Sequence, residues 1–217
     1  MNWSTRVLFS AFAIILLVVP AAAQFDIYDN GPTNGNTDGW TINFGFAVSD
    51  SFAFGSQTPI GGMQFAAWLF PGDTLLNSEV LISDSEFGGT IFFDQVVNFT
   101  QSTNCPTNSF GYNVCTETGA FTANLAAGSY WLTLQNAVVN NGDPIYWDEN
   151  SGPSSGSENS VGTVPSESFT LLGSTTCTGC ICQNSVQCPE PAESLLLLVS
   201  GGFAVMGFFR TRRGKWF

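Results

Sequence analysis

The sequence predicts an all-β fold, an antiparallel β-sandwich of jelly-roll-like architecture. Three observations carry this. About ten short apolar or alternating runs follow one another between residues 25 and 173, each bounded by Gly, Asn, Asp or Pro. No stretch in that interval repeats with a helical period. No unit recurs at a fixed spacing, which sets solenoids and propellers aside.

Taken in order, residues 25–28 (Phe25, Asp26, Ile27, Tyr28) read as a short first strand, and residues 29–39 as a loop dense in turn formers. Trp40, Ile42, Phe44, Phe46 and Val48 alternate with Thr41, Asn43, Gly45 and Ala47, the period-two pattern of a half-buried strand. Residues 63–70 form a near-continuous apolar run ended by Pro71 and Gly72, which suits a central strand. Further strand patterns fall at 79–83, 90–97, 110–115, 121–125, 130–136, 145–147 and 168–172. Residues 24–173 are thus read as one sandwich domain, and residues 174–188 as a Cys-rich stalk without strand or helix pattern.

The charge distribution narrows the partners. The chain has 17 acidic residues, 5 basic residues and no His, for a net charge of −12. Every Lys and Arg lies at position 6 or from 210 onward, so residues 24–209 contain no basic side chain. Nucleic acid is excluded as a partner, because phosphate binding needs Lys or Arg to release counterions. Cations, neutral glycans and basic proteins remain. Twenty Phe and six Trp in a chain that is 44% hydrophobic argue for a packed core rather than disorder. Without His there is no Ser-His or Cys-His nucleophile, and without Lys or Arg no Schiff base or cationic clamp. The chain is therefore expected not to be an enzyme. The competing class is a carboxylate-dependent glycan hydrolase or lyase, for which Asp143, Asp148, Glu149 and Glu158 are the available acids.

Both ends carry targeting patterns. Arg6, the apolar run 7–19, Pro20 and Ala21-Ala22-Ala23 have the layout of a signal peptide over residues 1–23, read by the export machinery. At the other end, Pro189-Glu190-Pro191 precedes an apolar block at 195–209 and a basic tail at 210–217 containing Arg210, Arg212 and Arg213. As a helix the block spans about 22 Å, and the positive end faces the cytoplasm with everything before residue 195 outside. This tripartite tail resembles the PEP-CTERM sorting signal of Gram-negative bacteria. The resemblance covers residues 188–217, with Cys188 where many members have Val and an extension through Gly214, Lys215, Trp216 and Phe217. It implies a precursor tethered in the inner membrane, processing by an exosortase-type membrane enzyme, and a destination at the cell surface or in an exopolysaccharide matrix. Within that setting the sandwich is expected to be a structural or glycan-binding module of the matrix.

Three groups of residues are candidate sites. Six cysteines in an exported chain read as disulfides. Cys105 and Cys115 would staple a loop around Pro106, Asn108 and Gly111, and Cys177, Cys180, Cys182 and Cys188 crowd the stalk, where four thiolates would otherwise suit zinc. Asn34, Asn36 and Asp38, followed by Gly39, match the opening of a calcium loop, although its twelfth position falls on Gly45 and not on Glu. An ordinary polar turn is the competing reading. Tyr146, Trp147, Asp148, Glu149 and Asn150 combine aromatic faces with carboxylate and amide, the chemistry of a sugar platform. In a strand only one of the two aromatics can face outward, and the competing reading makes Trp147 a core plug with a flexible Gly-Ser loop behind it.

Replacing Pro189-Glu190-Pro191 by alanines is expected to hold the full-length chain in the inner membrane, as read by immunoblotting of fractionated cells. Maturation at the normal rate would reduce the tail to a plain anchor.

Overall fold

The computed structural model describes residues 24–173. The expected signal peptide, the expected stalk with Cys177, Cys180, Cys182 and Cys188, and the expected sorting signal with Pro189, Glu190, Pro191, Arg210, Arg212 and Arg213 lie outside the described residues. Thirteen β-strands are found: β1 (Asp26–Asp29), β2 (Gly39–Thr41), β3 (Ala47–Phe54), β4 (Thr58–Leu69), β5 (Leu75–Ser85), β6 (Gly88–Gln101), β7 (Asn113–Leu125), β8 (Gly128–Val139), β9 (Tyr146–Asn150), β10 (Gly156–Glu158), β11 (Gly162–Val164), β12 (Ser166–Glu167) and β13 (Phe169–Gly173).

All of them belong to one antiparallel sheet that curls over on itself, in the order β1-β13-β4-β7-β6-β5-β8-β3-β10-β11, with β2, β9 and β12 joined at the end of β4. Strand β6 makes the fold-over. Its residues 88–98 pair with β5 and its last three, Phe99 to Gln101, pair with β7. The two halves enclose a core to which both contribute: Tyr28, Phe65, Trp147 and Phe169 from one, Val48, Phe52, Leu132 and Leu134 from the other. Phe52 meets Tyr28 and Phe169 across the interior at ring separations of 5.8 and 6.3 Å. Period-two alternation decides which residues enter it. In β7, Cys115, Glu117, Gly119, Phe121, Ala123 and Leu125 all point inward.

The all-β class and the antiparallel pairing agree with the sequence reading, and three local expectations do not. The alternating run 40–48 is two strands rather than one. Asn43 and Phe46 close a turn (N–H of Phe46 to the carbonyl of Asn43, 3.1 Å), and Phe44 and Gly45 take φ of 56° and 89°, a left-handed pair that glycine at the second position makes affordable. Alternation ends there because the chain changes sides: Ile42 donates to Ile145 beside β9 and accepts from Ala137 in β8, while Phe44 and Phe46 are exposed. The runs 110–115 and 121–125 are not separate strands, because β7 continues through Gly119. The Gly-Ser segment 151–160 is not a free loop either, since Ser157 and Glu158 are buried in β10 against β3.

Cys105 and Cys115 are bonded, closing the loop between β6 and β7. Backbone bonds from Ser102 to Thr116 and from Val114 to Pro106 (both 2.9 Å) run alongside. Closing nine intervening residues restricts the unfolded chain by about 3 kcal/mol. Replacing both cysteines by Ser is expected to lower unfolding free energy by about that amount in urea titrations. A loss under about 1 kcal/mol would assign the loop to its backbone bonds instead.

Candidate functional site

The two aromatics of β9 part company, as alternation requires. Trp147 has no exposed surface and donates from Nε1 to the carbonyl of Ser168 at 2.9 Å. A ring without an open face has nothing to offer a sugar, so Trp147 is the core plug. Tyr146 points the other way, onto the outer face of the first half of the sheet. There it meets Tyr112 (5.3 Å between centroids), which in turn meets Phe70 at 4.9 Å and Trp68 at 6.0 Å. Phe110 stacks on Trp68 at 5.7 Å with an interplanar angle of 23° and is 58% exposed. Burial, and then the neighbouring Tyr112, push the Tyr146 hydroxyl up to about 12, so it stays a neutral hydrogen-bonding group. Sequence reasoning found Tyr146 and missed the others. They come from the end of β4 and from the disulfide loop, segments far apart in sequence that only the pairing of β4 with β7 and β9 brings together.

Beneath this face Asp148 is fully buried, and its carboxylate gathers three donors: the Asn34 and Gly35 amides at 2.7 Å each and Trp68 Nε1 at 2.6 Å. Two successive amides reach one carboxylate, a nest for an anion, and the chain then turns through Gly35 at φ of 71°. Burial raises the Asp148 carboxyl above its ordinary range, and these bonds pull against the rise. The 34–38 loop is therefore folded around a negative group. Asn34 Nδ2 is turned to the Thr37 hydroxyl, Asn36 Nδ2 donates to the carbonyl of Asn34 at 3.2 Å, and Asp38 Oδ1 accepts from the Gly39 amide at 2.8 Å. A calcium loop needs its side-chain oxygens convergent. Here Asn34 and Asn36 turn their amide nitrogens, and Asp38 one carboxylate oxygen, to partners within the loop.

Glu149 and Asn150 are also turned in. Trp40 Nε1 donates to Glu149 Oε2 at 3.1 Å, and burial raises the Glu149 carboxyl against that bond. Asn150 Nδ2 donates to the carbonyls of Asn30 (2.9 Å) and Pro32 (3.3 Å), tying the 30–32 segment to the end of β9. Of the acids considered for catalysis, Glu158 is buried and holds its own turn, accepting from Ser160 N, Ser160 Oγ and Val161 N at 2.7–3.0 Å. Among residues 146–150, only Tyr146 is left partly open to solvent.

The sequence reading passed over the acids that lie deepest. Asp50, Glu117 and Glu167 have essentially no exposed surface, and the described residues contain no Lys, Arg or His to neutralise them. Neither carboxylate oxygen of Glu117 or Glu167 has a hydrogen-bond partner, nor has Asp50 Oδ1. Desolvation raises Asp50 to about 6 and Glu117 to about 8. Glu167 is raised well above its ordinary value by burial and then by the facing charges of Asp50, Glu149, Asp148 and Asp38. A signal existed for two of them, which share their parity with core residues of their own strand, Asp50 with Val48 and Phe52, Glu117 with Cys115 and Phe121; Glu167 sits in the two-residue β12, too short to show a pattern.

Glu117 gives the domain a definite pH dependence. Below its ordinary value of 4.5 the group is protonated whether the chain is folded or not. As pH rises from there to about 8, the unfolded chain releases the proton and the folded one keeps it, so stability falls, and above that it levels off. The loss over this window amounts to about 5 kcal/mol. Urea titrations from pH 4 to pH 9 are expected to show the decline and to show it reduced by that share in Glu117→Gln. Equal slopes for the two proteins would mean that water reaches the carboxylate.

No family model, curated protein or solved structure matches the chain.

Proposed function

We propose that this is an exported surface protein, sorted by a PEP-CTERM and exosortase-type system, whose jelly-roll-like sandwich serves as a non-catalytic structural and glycan-binding module of an exopolysaccharide matrix. Signal peptide, Pro189-Glu190-Pro191, apolar block and Arg210, Arg212 and Arg213 support the sorting; after release from the inner membrane the destination is the surface or the matrix. The observation that carries the binding reading is the outward aromatic cluster of Phe70, Phe110, Tyr112 and Tyr146 set on Trp68. Flat rings stack on the apolar face of a pyranose, and the two tyrosine hydroxyls supply bonds to its hydroxyl groups. Without a basic side chain between residues 24 and 209, the face suits a neutral glycan rather than a sulfated or uronic one. The enzymatic alternative, a carboxylate-dependent glycan hydrolase or lyase, is weaker because three of its four candidate acids, Asp148, Glu149 and Glu158, are buried and engaged, which leaves Asp143 without a carboxylate partner among them.

The test is retardation of the full chain in gels cast with the producer's extracted exopolysaccharide. Wild type is expected to be retarded, and Phe110→Ala or Tyr146→Ala to weaken binding about tenfold. Trp147→Ala would be a misleading probe, because emptying that core position costs about 3–5 kcal/mol of stability. Equal mobility with and without polysaccharide would remove the glycan-binding reading.

A further inference from the structure

The side chain of Asn30, which follows β1 and has no exposed surface, is surrounded by reactive groups. Its Nδ2 has Ser154 Oγ at 2.7 Å, the Glu167 carbonyl at 2.8 Å, Ser166 Oγ at 2.9 Å and Asp50 Oδ2 at 3.1 Å. These are four acceptors around a nitrogen with only two hydrogens to give. The amide carbon lies about 1.3 Å from that nitrogen, so each serine oxygen is within about 4 Å of it. On the other side of the amide, Asn30 Oδ1 accepts from the Tyr28 hydroxyl at 2.8 Å. Burial, and then the charges of Asp50 and Asp29, push that hydroxyl up to about 12, so it stays a donor. Desolvation lifts the Asp50 carboxyl to about 6, against bonds from the Ser154 hydroxyl, the Glu167 and Ser51 amides and the Asn30 side chain. At neutral pH Asp50 is therefore a base in touch with both a hydroxyl and an amide nitrogen.

We propose that Ser154 and Asn30 condense into an intramolecular ester, a covalent cross-link formed by the folded chain itself. Ser154 Oγ attacks Asn30 Cγ and its proton passes to Asp50. Negative charge then develops on Asn30 Oδ1, where the Tyr28 hydroxyl already donates. The carbon–nitrogen bond breaks, Asp50 returns the proton to Nδ2, and the nitrogen leaves as ammonia. One hydroxyl and one carboxamide give one ester and one ammonia, with no oxidant or co-reactant. Ser154 is the nucleophile rather than Ser166 because it is the closer of the two and the one bonded to Asp50. Ser166 Oγ, 2.8 Å from Ser154 Oγ, holds it in place. Ser154 is also half-buried, which gives ammonia a way out. The two residues are 124 positions apart, one just after β1 and the other just before β10, at opposite ends of the curled sheet. The bond would close that sheet covalently, and it is independent of the glycan reading.

The test is peptide mapping of the purified full chain, unfolded and cut after glutamate, with masses read by mass spectrometry. Wild type is expected to yield the peptide ending at Glu79 joined to residues 150–158, one ammonia lighter than the two together. Hydroxylamine, which cleaves esters and spares amides, is expected to part them. Ser154→Ala is expected to give the two peptides separately. Tyr28→Phe keeps the ring and removes the donor, and is expected to slow linkage at least about tenfold in newly made chain. Separate peptides in wild type overturn the cross-link, as do attachment through residues 159–167, which carry Ser166, and a link that survives hydroxylamine. Linkage at the wild-type rate in Tyr28→Phe overturns the proposed step.

Discussion

The rest of the structure is arranged around one electrostatic constraint: acids are placed in a core and the described residues hold no base to meet them. An isolated buried carboxylate is far too costly to persist as an anion. The fold answers with neutral donors. Asp148 is held by two backbone amides and an indole, Glu149 by another indole, and Glu158 by the amides and hydroxyl of its own turn. Where such donors run out, as at Glu117, the group keeps its proton instead. Loops are shaped by the same need. The 34–38 segment sets two of its backbone amides on the carboxylate beneath it.

Much of this was legible in the residues. Alternation in 130–136 falls inside β8, the apolar run 63–70 lies in β4 up to Leu69, and the cysteines of the 105–115 loop are paired. Parity also foretold that Tyr146 and Trp147 face opposite ways. What alternation could not convey is where a chain leaves one half of the sheet for the other. Residues 40–48 alternate perfectly, and the turn at Asn43 to Phe46 is announced only by Asn43 and Gly45, which in a strand pattern pass for outward polar positions. Likewise the aromatic face depends on strand neighbours more than 30 residues apart in sequence, and no local pattern records which strands lie side by side. The deep acids were a different kind of omission: their parity was readable, but a carboxylate on an apolar face is discounted in a chain so rich in acids.

The disulfide joins these themes. Cys115 is a core residue of β7, and the loop it closes carries Phe110 and Tyr112 to the aromatic face. The same strand, two residues further on, buries Glu117. The buried acid, the covalent closure and the aromatic surface are therefore set within one segment, the loop from Cys105 and the start of β7 that follows it.

Strand β6 has a wider consequence. Because it is shared by both halves of the sheet, neither half can peel away without stripping the other of a hydrogen-bonded neighbour, and there is no seam at which the domain can hinge. Most pairings, β1 with β13 above all, also join segments distant along the chain. Such a topology makes folding slow and unfolding cooperative. Under mechanical load a domain of this design behaves as a rigid bead that yields all at once.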